Sequence, residues 1–501
     1  MSFEPVFESI KYNGKKIEKS QQIKVECKTE IPAESVAKVL GVFSRADITR
    51  SEKELSKVSF GGKATFYICY ENAEGKLTKC ECGSEFVGDF QQENIENYSF
   101  NFKAVTEKVQ ADVTGIKLMA ICYVTIYINL TPIIQTKALT GGENLICDSG
   151  EVVVNYGLGK KVTIYPIEEE FELNYQVAEV LNHRAEGIVT AVQCGVGCII
   201  VDGEVFLSAI LLQSGEKQDI IRENRTIPFR VEIDCEEAMP SLNATAYVKE
   251  KSFKTDISVD EEKACSLVTA YISLQFEGEA FASSNVNICN DAFNLLENVK
   301  VVYEQAETYN QSQLFSDTFD VVSRASTFDL PLGSSVIAVL NERIEVVDVK
   351  EVEESFIITT MLVLDVLFMD NEGKYFTRIL ETSLEKTIEK IDENSIKEIK
   401  ICAQKGLARI VSLSEIEVSA QITLSIYLEK LNTIKFIKEI SSTGEKPINS
   451  NAISVYIPTE GEELWGLAKR LNVSPETLIE TNSDLQFPLT GKERIVVYRK
   501  L

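Results

Sequence analysis

Alternation of apolar and polar residues marks several long stretches of this chain. In the clearest of them, residues 416–428, every second side chain is apolar: Ile416, Val418, Ala420, Ile422, Leu424, Ile426 and Leu428. Seven apolar positions at a period of two predict a half-buried β-strand. Residues 118–130 and 266–276 have a similar character and are rich in Tyr, Val, Ile and Thr, which favours strands over helices.

These three stretches close three segments that follow one plan. Each segment begins with a short apolar turn, at residues 37–40, 178–181 and 337–340. A charged stretch follows, and then a strand pair around a glycine turn, with first strands at 64–70, 205–212 and 361–368 and turns at 74–76, 215–217 and 372–374. This common order indicates an internal repeat, against the alternative of chance similarity between β segments.

The spacing supports a true repeat. Leu40 and Leu181 are 141 positions apart, and so are Gly62 and Gly203. Leu181 and Leu340 are 159 positions apart, so the third copy carries an insertion. Several strands in each copy, with glycine turns between them, predict antiparallel packing. The predicted fold is therefore mainly β, with three tandem antiparallel β-sandwich-like repeats at residues 1–155, 156–308 and 309–440.

The pattern becomes helical after residue 453. Leu464, Leu467, Ala468 and Leu471 share one helical face. Ser474 is a favourable N-cap, and Pro475 suits the first position of a second helix. A final strand is predicted over residues 495–498, so residues 453–501 have the order strand, helix, helix, strand. The polar residues 441–452 are predicted to be a flexible linker.

Charge narrows the classes of partner. The 501 residues contain 77 Asp and Glu against 51 Lys and Arg, a formal net charge of −26. Residues 453–501 hold seven acidic and six basic side chains, so −25 belongs to residues 1–452. A strongly negative surface repels phosphate backbones and anionic lipid, which argues against nucleic acid and membrane surfaces as partners.

Targeting signals are not visible in the sequence. The first residues show no basic region followed by an apolar core, so no secretory signal is predicted. The longest apolar stretch, residues 116–130, is shorter than the ~20 residues that a membrane-spanning helix needs. We therefore expect a cytoplasmic protein without a membrane span.

Candidate catalytic chemistry is sparse, and we expect no enzyme, no cofactor and no metal site. The twelve cysteines are scattered, and neither Cys80-Glu81-Cys82 nor the Cys194–Cys198 spacing matches a zinc knuckle. His183 is the only histidine, and we expect it to be a surface or half-buried side chain rather than a catalytic base. The acidic run at 168–170 is expected to be a solvated face.

The C-terminal residues resemble a LysM module. The positions that match its pattern are Tyr456, Gly461, Leu464, Trp465, Ala468, Val473, Leu478 and Asn482. In that family, polymers of N-acetylglucosamine bind a groove between the loop before the first helix and the loop after the second. The resemblance therefore implies a groove for a glycan or a partner at Gly461, Glu462, Glu463, Leu464, Asn482, Ser483, Asp484 and Leu485. We expect the single tryptophan, Trp465, to pack behind the first helix rather than to stack on a sugar.

Acidic β repeats followed by one LysM module resemble the spore-coat morphogenetic proteins of endospore-forming bacteria, which carry SPOCS-type β domains. The resemblance implies a scaffold in the mother-cell cytoplasm, at the forespore surface, that uses LysM to dock onto the basement-layer ATPase of the coat or onto other coat proteins. The alternative is a protein that binds peptidoglycan or a chitin-type glycan containing N-acetylglucosamine through LysM. An enzyme is the third hypothesis.

Overall fold

A computed structural model describes residues 3–215, 219–260, 264–326, 330–390, 395–412, 414–447 and 453–498. The described residues are mainly β, as predicted, and all their strand pairings are antiparallel. One predicted turn, at 215–217, lies partly outside the described residues.

The first unit comprises residues 4–143. Its strands are β1 (Glu4–Asn13), β2 (Ile17–Pro32), β3 (Val36–Glu54), β4 (Lys57–Asn72), β5 (Leu77–Gln91), β6 (Tyr98–Thr114) and β7 (Lys117–Glu143), with short 3₁₀ turns at Ala33–Ser35 and Ile95–Asn97. One sheet has the order β3-β4-β5. In the other sheet β7 is central: β2 and β6 flank its first half, and β1 pairs with its second half.

The second and third units repeat this order of pairings. The second unit, residues 146–293, contains β8 (Ile146–Leu173), β9 (Val177–Cys194), β10 (Cys198–Gln213), β11 (Ile220–Asp234), β12 (Asn243–Asp260) and β13 (Cys265–Phe293). The third unit, residues 297–445, contains β14 (Glu297–Ser326), β15 (Ser335–Val352), β16 (Ser355–Met369), β17 (Tyr375–Glu389), β18 (Ser395–Ile410) and β19 (Glu415–Glu445). Their sheets have the orders β9-β10-β11 and β8-β13-β12, and β15-β16-β17 and β14-β19-β18.

The apolar faces of the two sheets pack together in each unit, around one buried cluster in the first and second units and two in the third. In the first unit, side chains of β4 and β5 pack against the alternating apolar residues of β7 from Leu118 to Leu130. In the third unit, the seven predicted residues from Ile416 to Leu428 are all buried, with at most 5% of their surface exposed. The predicted burial of these seven positions is therefore confirmed, but the strand is half-buried only in its first part, because Thr423, Ser425 and Tyr427 on its other face are buried as well. Burial of apolar surface is the main favourable contribution to folding.

Gly62 and Gly203 occupy matching environments in the first two units. Each lies beside an irregularity in strand register, under the ring of Phe86 or Phe229 respectively. A Cβ atom on Gly62 would lie 2.5 Å from the backbone oxygen of Asp47, and one on Gly203 would lie 2.5 Å from the ring of Phe229. The close approach of backbone and ring explains why glycine recurs at this spacing.

We expect Gly203→Ala to lower the free energy of unfolding by about 1–3 kcal/mol, because the added methyl group would displace a buried ring and a carbonyl. Urea unfolding followed by circular dichroism would measure the change. Gly141→Ala is the matched control, since a Cβ atom there would meet open space within 4 Å. An equal response of the two variants would contradict this interpretation.

Three apolar clusters join the three units. Leu40, Leu181 and Leu340, one from each unit, meet in a single buried cluster with Leu77, Ile210, Leu212 and Leu367. A second cluster includes Tyr12 from β1, Ile288 from β13 and Phe436 from β19. A third includes Leu139 from β7, Cys289 from β13 and Ile437 from β19. The three units therefore pack around a common centre rather than as a linear string.

Four sequence predictions need correction. The apolar segments 37–40, 178–181 and 337–340 are extended and lie in β3, β9 and β15 rather than in turns. The predicted boundaries at 155/156 and 308/309 fall inside the continuous strands β8 and β14. The boundary at 440/441 falls inside β19, which reaches Glu445, so residues 441–445 are strand rather than linker. Of the remaining predicted linker, residues 446–447 have no regular structure, and residues 448–452 lie outside the described residues.

The C-terminal module, residues 453–498, contains β20 (Ile453–Tyr456), α1 (Leu464–Leu471), α2 (Pro475–Thr481) and β21 (Ile495–Tyr498). Leu467, Ala468 and Leu471 are buried on one face of α1, as their spacing predicts. The Ser474 hydroxyl caps α2 by accepting a hydrogen bond from the Thr477 amide at 3.2 Å. The two helices pack against the β20–β21 ladder around one apolar cluster.

Candidate interaction site on the C-terminal module

The two predicted groove segments flank the helices of the C-terminal module. Residues 461–464 lead into α1, and residues 482–485 follow α2. Leu464 and Leu485 are half-buried and pack against the same apolar cluster, so the fold brings both segments to one core. Gly461, Glu463, Ser483 and Asp484 are exposed, which leaves polar groups of both segments open to a partner.

The first segment is held in place by local bonds. Gly461 has a φ of +80°, which favours glycine, and its amide donates to the Leu489 carbonyl at 2.7 Å. Glu462 forms an ion pair with Arg470, with 2.8 Å between Oε1 and Nε. The hydrogen bond from Arg470 is the main cause that lowers the pKa of Glu462. Glu462 therefore contributes to the shape of the loop, while its neighbour Glu463 remains exposed.

Asn482 has a structural role that its matching position did not reveal. Its side-chain amide donates to the Leu478 carbonyl at 3.0 Å and to the Val496 carbonyl at 2.7 Å, and its oxygen accepts from the Val496 amide at 2.7 Å. These three bonds tie the end of α2 to β21. Because both ends of the amide are engaged, the free groups of this segment are those of Ser483 and Asp484.

A second contact of the module, made by side chains of α1, fixes the module against the β units. The Trp465 indole N–H donates to Asp291 Oδ2 at 2.9 Å, and its ring lies edge-on to Phe293 with 5.3 Å between the centroids. Lys469, one turn later on α1, pairs with the same carboxylate at 2.6 Å. Tyr303 donates a third hydrogen bond to Asp291 at 2.7 Å. Trp465 is half-buried at this contact and does not lie in the predicted groove.

A second set of bonds reinforces the contact. Asn472, at the end of α1, donates to the Leu295 carbonyl at 2.7 Å and accepts from Lys446 Nζ at 2.6 Å. Lys446 also donates to the Asn294 carbonyl at 2.6 Å. The residues between β13 and β14 therefore hold both the module and the residue that follows β19. The sequence pattern does not reveal this contact, because Asp291 and Trp465 are 174 positions apart.

We expect acid to loosen this contact. Burial opposes ionisation of Asp291, but hydrogen bonds from Lys469, Trp465 and Tyr303 outweigh burial and lower the pKa of Asp291. A lowered pKa means that the ionised carboxylate stabilises the contact above the ordinary aspartate range, and that this stabilisation is lost as pH falls through the lowered pKa. Trp465 is the only tryptophan, so its fluorescence emission should shift to longer wavelength over that pH range.

Asp291→Asn provides the comparison. It keeps the shape of the side chain but removes the charge, and we expect it to weaken the contact by about 1–3 kcal/mol. The emission of the variant at neutral pH should resemble that of the wild type in acid. It should change little when the pH of the variant is lowered. Unchanged emission in the variant at neutral pH would contradict the role of Asp291.

The single histidine and the candidate metal ligands of the sequence lie outside the C-terminal module or form no site among the described residues. His183 is half-buried, with its ring 4.3 Å from the Phe253 ring centroid. Burial, followed by the nearby Lys79, lowers the pKa of His183 to about 4. Within the described ranges, no cluster of three or more His, Cys, Asp or Glu side chains has the arrangement to hold a metal ion. Nor does any helix of the described part have the length and apolar character to cross a membrane.

Comparison with known proteins gives no relative for this chain. No protein-family model, no curated protein and no solved structure matches it.

Proposed function

We propose that this chain is a non-enzymatic scaffold of spore-coat assembly, in which a LysM-type C-terminal module docks onto another protein. In this proposal the three units are SPOCS-like β-sandwich repeats. The scaffold acts in the mother-cell cytoplasm at the forespore surface, and its partner is the basement-layer ATPase of the coat or another coat protein.

The main support is the way in which the module is mounted. Trp465 and Lys469 of α1, and Asn472 directly after it, face the β units, whereas Glu463, Ser483 and Asp484 remain exposed. A module that is bonded to a large body on one side presents its free groups in a fixed direction. Such preorganisation reduces the entropy lost on binding, which suits a docking element.

Affinity purification from sporulating cells would test the proposal. The full chain should recover the basement-layer ATPase or another coat protein, and a chain lacking residues 453–501 should not. A variant with Glu463→Ala, Ser483→Ala and Asp484→Ala should lose recovery, while Glu476→Ala with Glu480→Ala, both at exposed positions of α2, should retain it. Equal recovery by all these chains would overturn the docking role of the module.

Titration with a chitooligosaccharide distinguishes the glycan-binding alternative from the scaffold proposal. The scaffold proposal expects no heat of binding. A clear affinity that Asp484→Ala removes and Glu480→Ala leaves intact would favour the glycan role instead. Asn482 is unsuitable for this comparison because its amide bonds hold α2 to β21.

A further inference from the structure

A large cavity lies where the three units meet. Its volume is about 1080 Å³, slightly above the range of about 300–1,000 Å³ for small-molecule pockets. All three units contribute strands to its wall: β3, β4 and β6 from the first, β9 and β12 from the second, and β15, β16, β17 and β18 from the third. No residue of the C-terminal module lines it, so this site is separate from the one discussed above.

Seven of these nine strands, all except β4 and β16, are sheet edges. In the described part of the chain, each of them pairs with one neighbouring strand only. The outer side of an edge strand carries backbone N–H and C=O groups that are free to pair with an added strand. A few of these carbonyls are covered by side chains: Arg45 reaches the Glu250 carbonyl, and Arg184 reaches the Glu342 carbonyl.

The charge of the wall differs from that of the chain. Seven acidic and seven basic side chains line the cavity, although the whole chain has a formal net charge of −26. Several of them are already paired, including Arg45 with Glu250 and Arg343 with Asp365. A wall with balanced and paired charges does not select a polyphosphate or a polycation. It suits an occupant that bonds mainly through neutral donors and acceptors.

Side chains bridge all three seams between units. Arg45 and Glu250 bridge the first and second units, and Arg222 and Glu342 bridge the second and third. Lys15 pairs with Glu307 across the first and third units, and Lys38 donates to the Tyr375 carbonyl there at 2.9 Å. The units that form the wall of the cavity are therefore held together at every seam.

We propose that this cavity binds an extended segment of a partner protein, of near-zero net charge, by strand addition to the edge strands that line it. Backbone hydrogen bonds to the free edges would supply the affinity, as in other cases of strand addition. The aromatic wall formed by Phe253, His183 and Tyr67 would accept an apolar side chain of that segment.

Selection of random 12-residue peptides displayed on phage, with the full chain as target, would test this inference. Enriched peptides should have balanced charge and should bind at least tenfold more weakly when proline replaces alternate residues, because proline lacks the N–H donor. Val105→Trp, which narrows the cavity at β6, should reduce their affinity to a similar extent. Val322→Trp, at an exposed position of β14, is the matched control and should leave affinity unchanged.

Hydrogen exchange on the unmodified chain gives a second readout that does not depend on how the variants fold. A bound peptide should slow amide exchange in at least one of the seven edge strands that line the cavity. The inference is overturned if no peptide is enriched, if enriched peptides bind the Val105→Trp chain equally well, or if protection appears only outside the cavity strands. Enrichment that survives the proline replacements would point to side-chain recognition and would also overturn strand addition.

Discussion

Replacing Glu342 with alanine should lower the free energy of unfolding by about 3–5 kcal/mol. Glu342 is only 3% exposed, yet its carboxylate has two partners: Arg222 at 2.5 Å and the backbone amide of Gly406 at 2.5 Å. Arg222 also donates to the Gly406 carbonyl at 2.9 Å. Removal of the carboxylate would leave the largely buried Arg222 guanidinium without its counter-charge and the buried Gly406 amide without its acceptor, which is the origin of the large effect.

Chemical denaturation would measure this loss, and two comparisons sharpen it. Glu372→Ala removes the carboxylate of an exposed pair with Lys374 and should change stability by at most about 1 kcal/mol. The double variant Arg222→Met, Glu342→Leu should recover much of the loss, because no buried charge remains. A single-variant effect no larger than that of Glu372→Ala would show that the bridge between the second and third units is unimportant.

Phe436→Ala should be comparably destabilising, by about 3–5 kcal/mol. Its side chain is fully buried in the cluster that joins all three units, beside Ile10, Tyr12 and Ile288. Truncation removes buried apolar surface and leaves a cavity, and both effects lower stability. The effect should appear in the unfolding of every unit rather than of the third alone.

Hydrogen exchange resolved along the chain would detect that spread, since protection should fall in β1, β8 and β14 together. Leu55→Ala is the control, because Leu55 is 91% exposed and its truncation should be nearly neutral. Loss of protection confined to β14–β19 would indicate that the units unfold independently.

Local pattern predicted the strands well and their ends poorly. Alternation identified 416–428 because burial of one sheet face imposes a period of two. The same strand continues to Glu445 through the polar residues 441–445, which were predicted to be linker. Their backbone pairs with β14 from Glu297 to Lys300, and backbone pairing has no hydrophobic signature in the sequence. The predicted unit boundaries fell inside the continuous strands β8 and β14 because the backbone pairing that continues each strand leaves no hydrophobic pattern either.

The hydrophobic pattern of the sequence could not predict how the three units pack together or how the C-terminal module is attached to them. The recurrence of Leu40, Leu181 and Leu340 was visible, but periodicity does not say whether equivalent residues in successive copies touch. Asp291 is an isolated acidic residue in an apolar strand, and only the folded chain places it beside Trp465. The groove positions were transferred from a family pattern, which could not distinguish the bonded amide of Asn482 from the open carboxylate of Asp484.

The meeting of Leu40, Leu181 and Leu340 also constrains how the three copies can diverge. In a linear array, a substitution in one copy is accommodated within that copy. Here a larger or smaller side chain at one of these positions alters the space available to the other two. Neutral drift at this point is therefore coupled across the copies, and a change in one leucine calls for a compensating change some 140–160 residues away in the sequence.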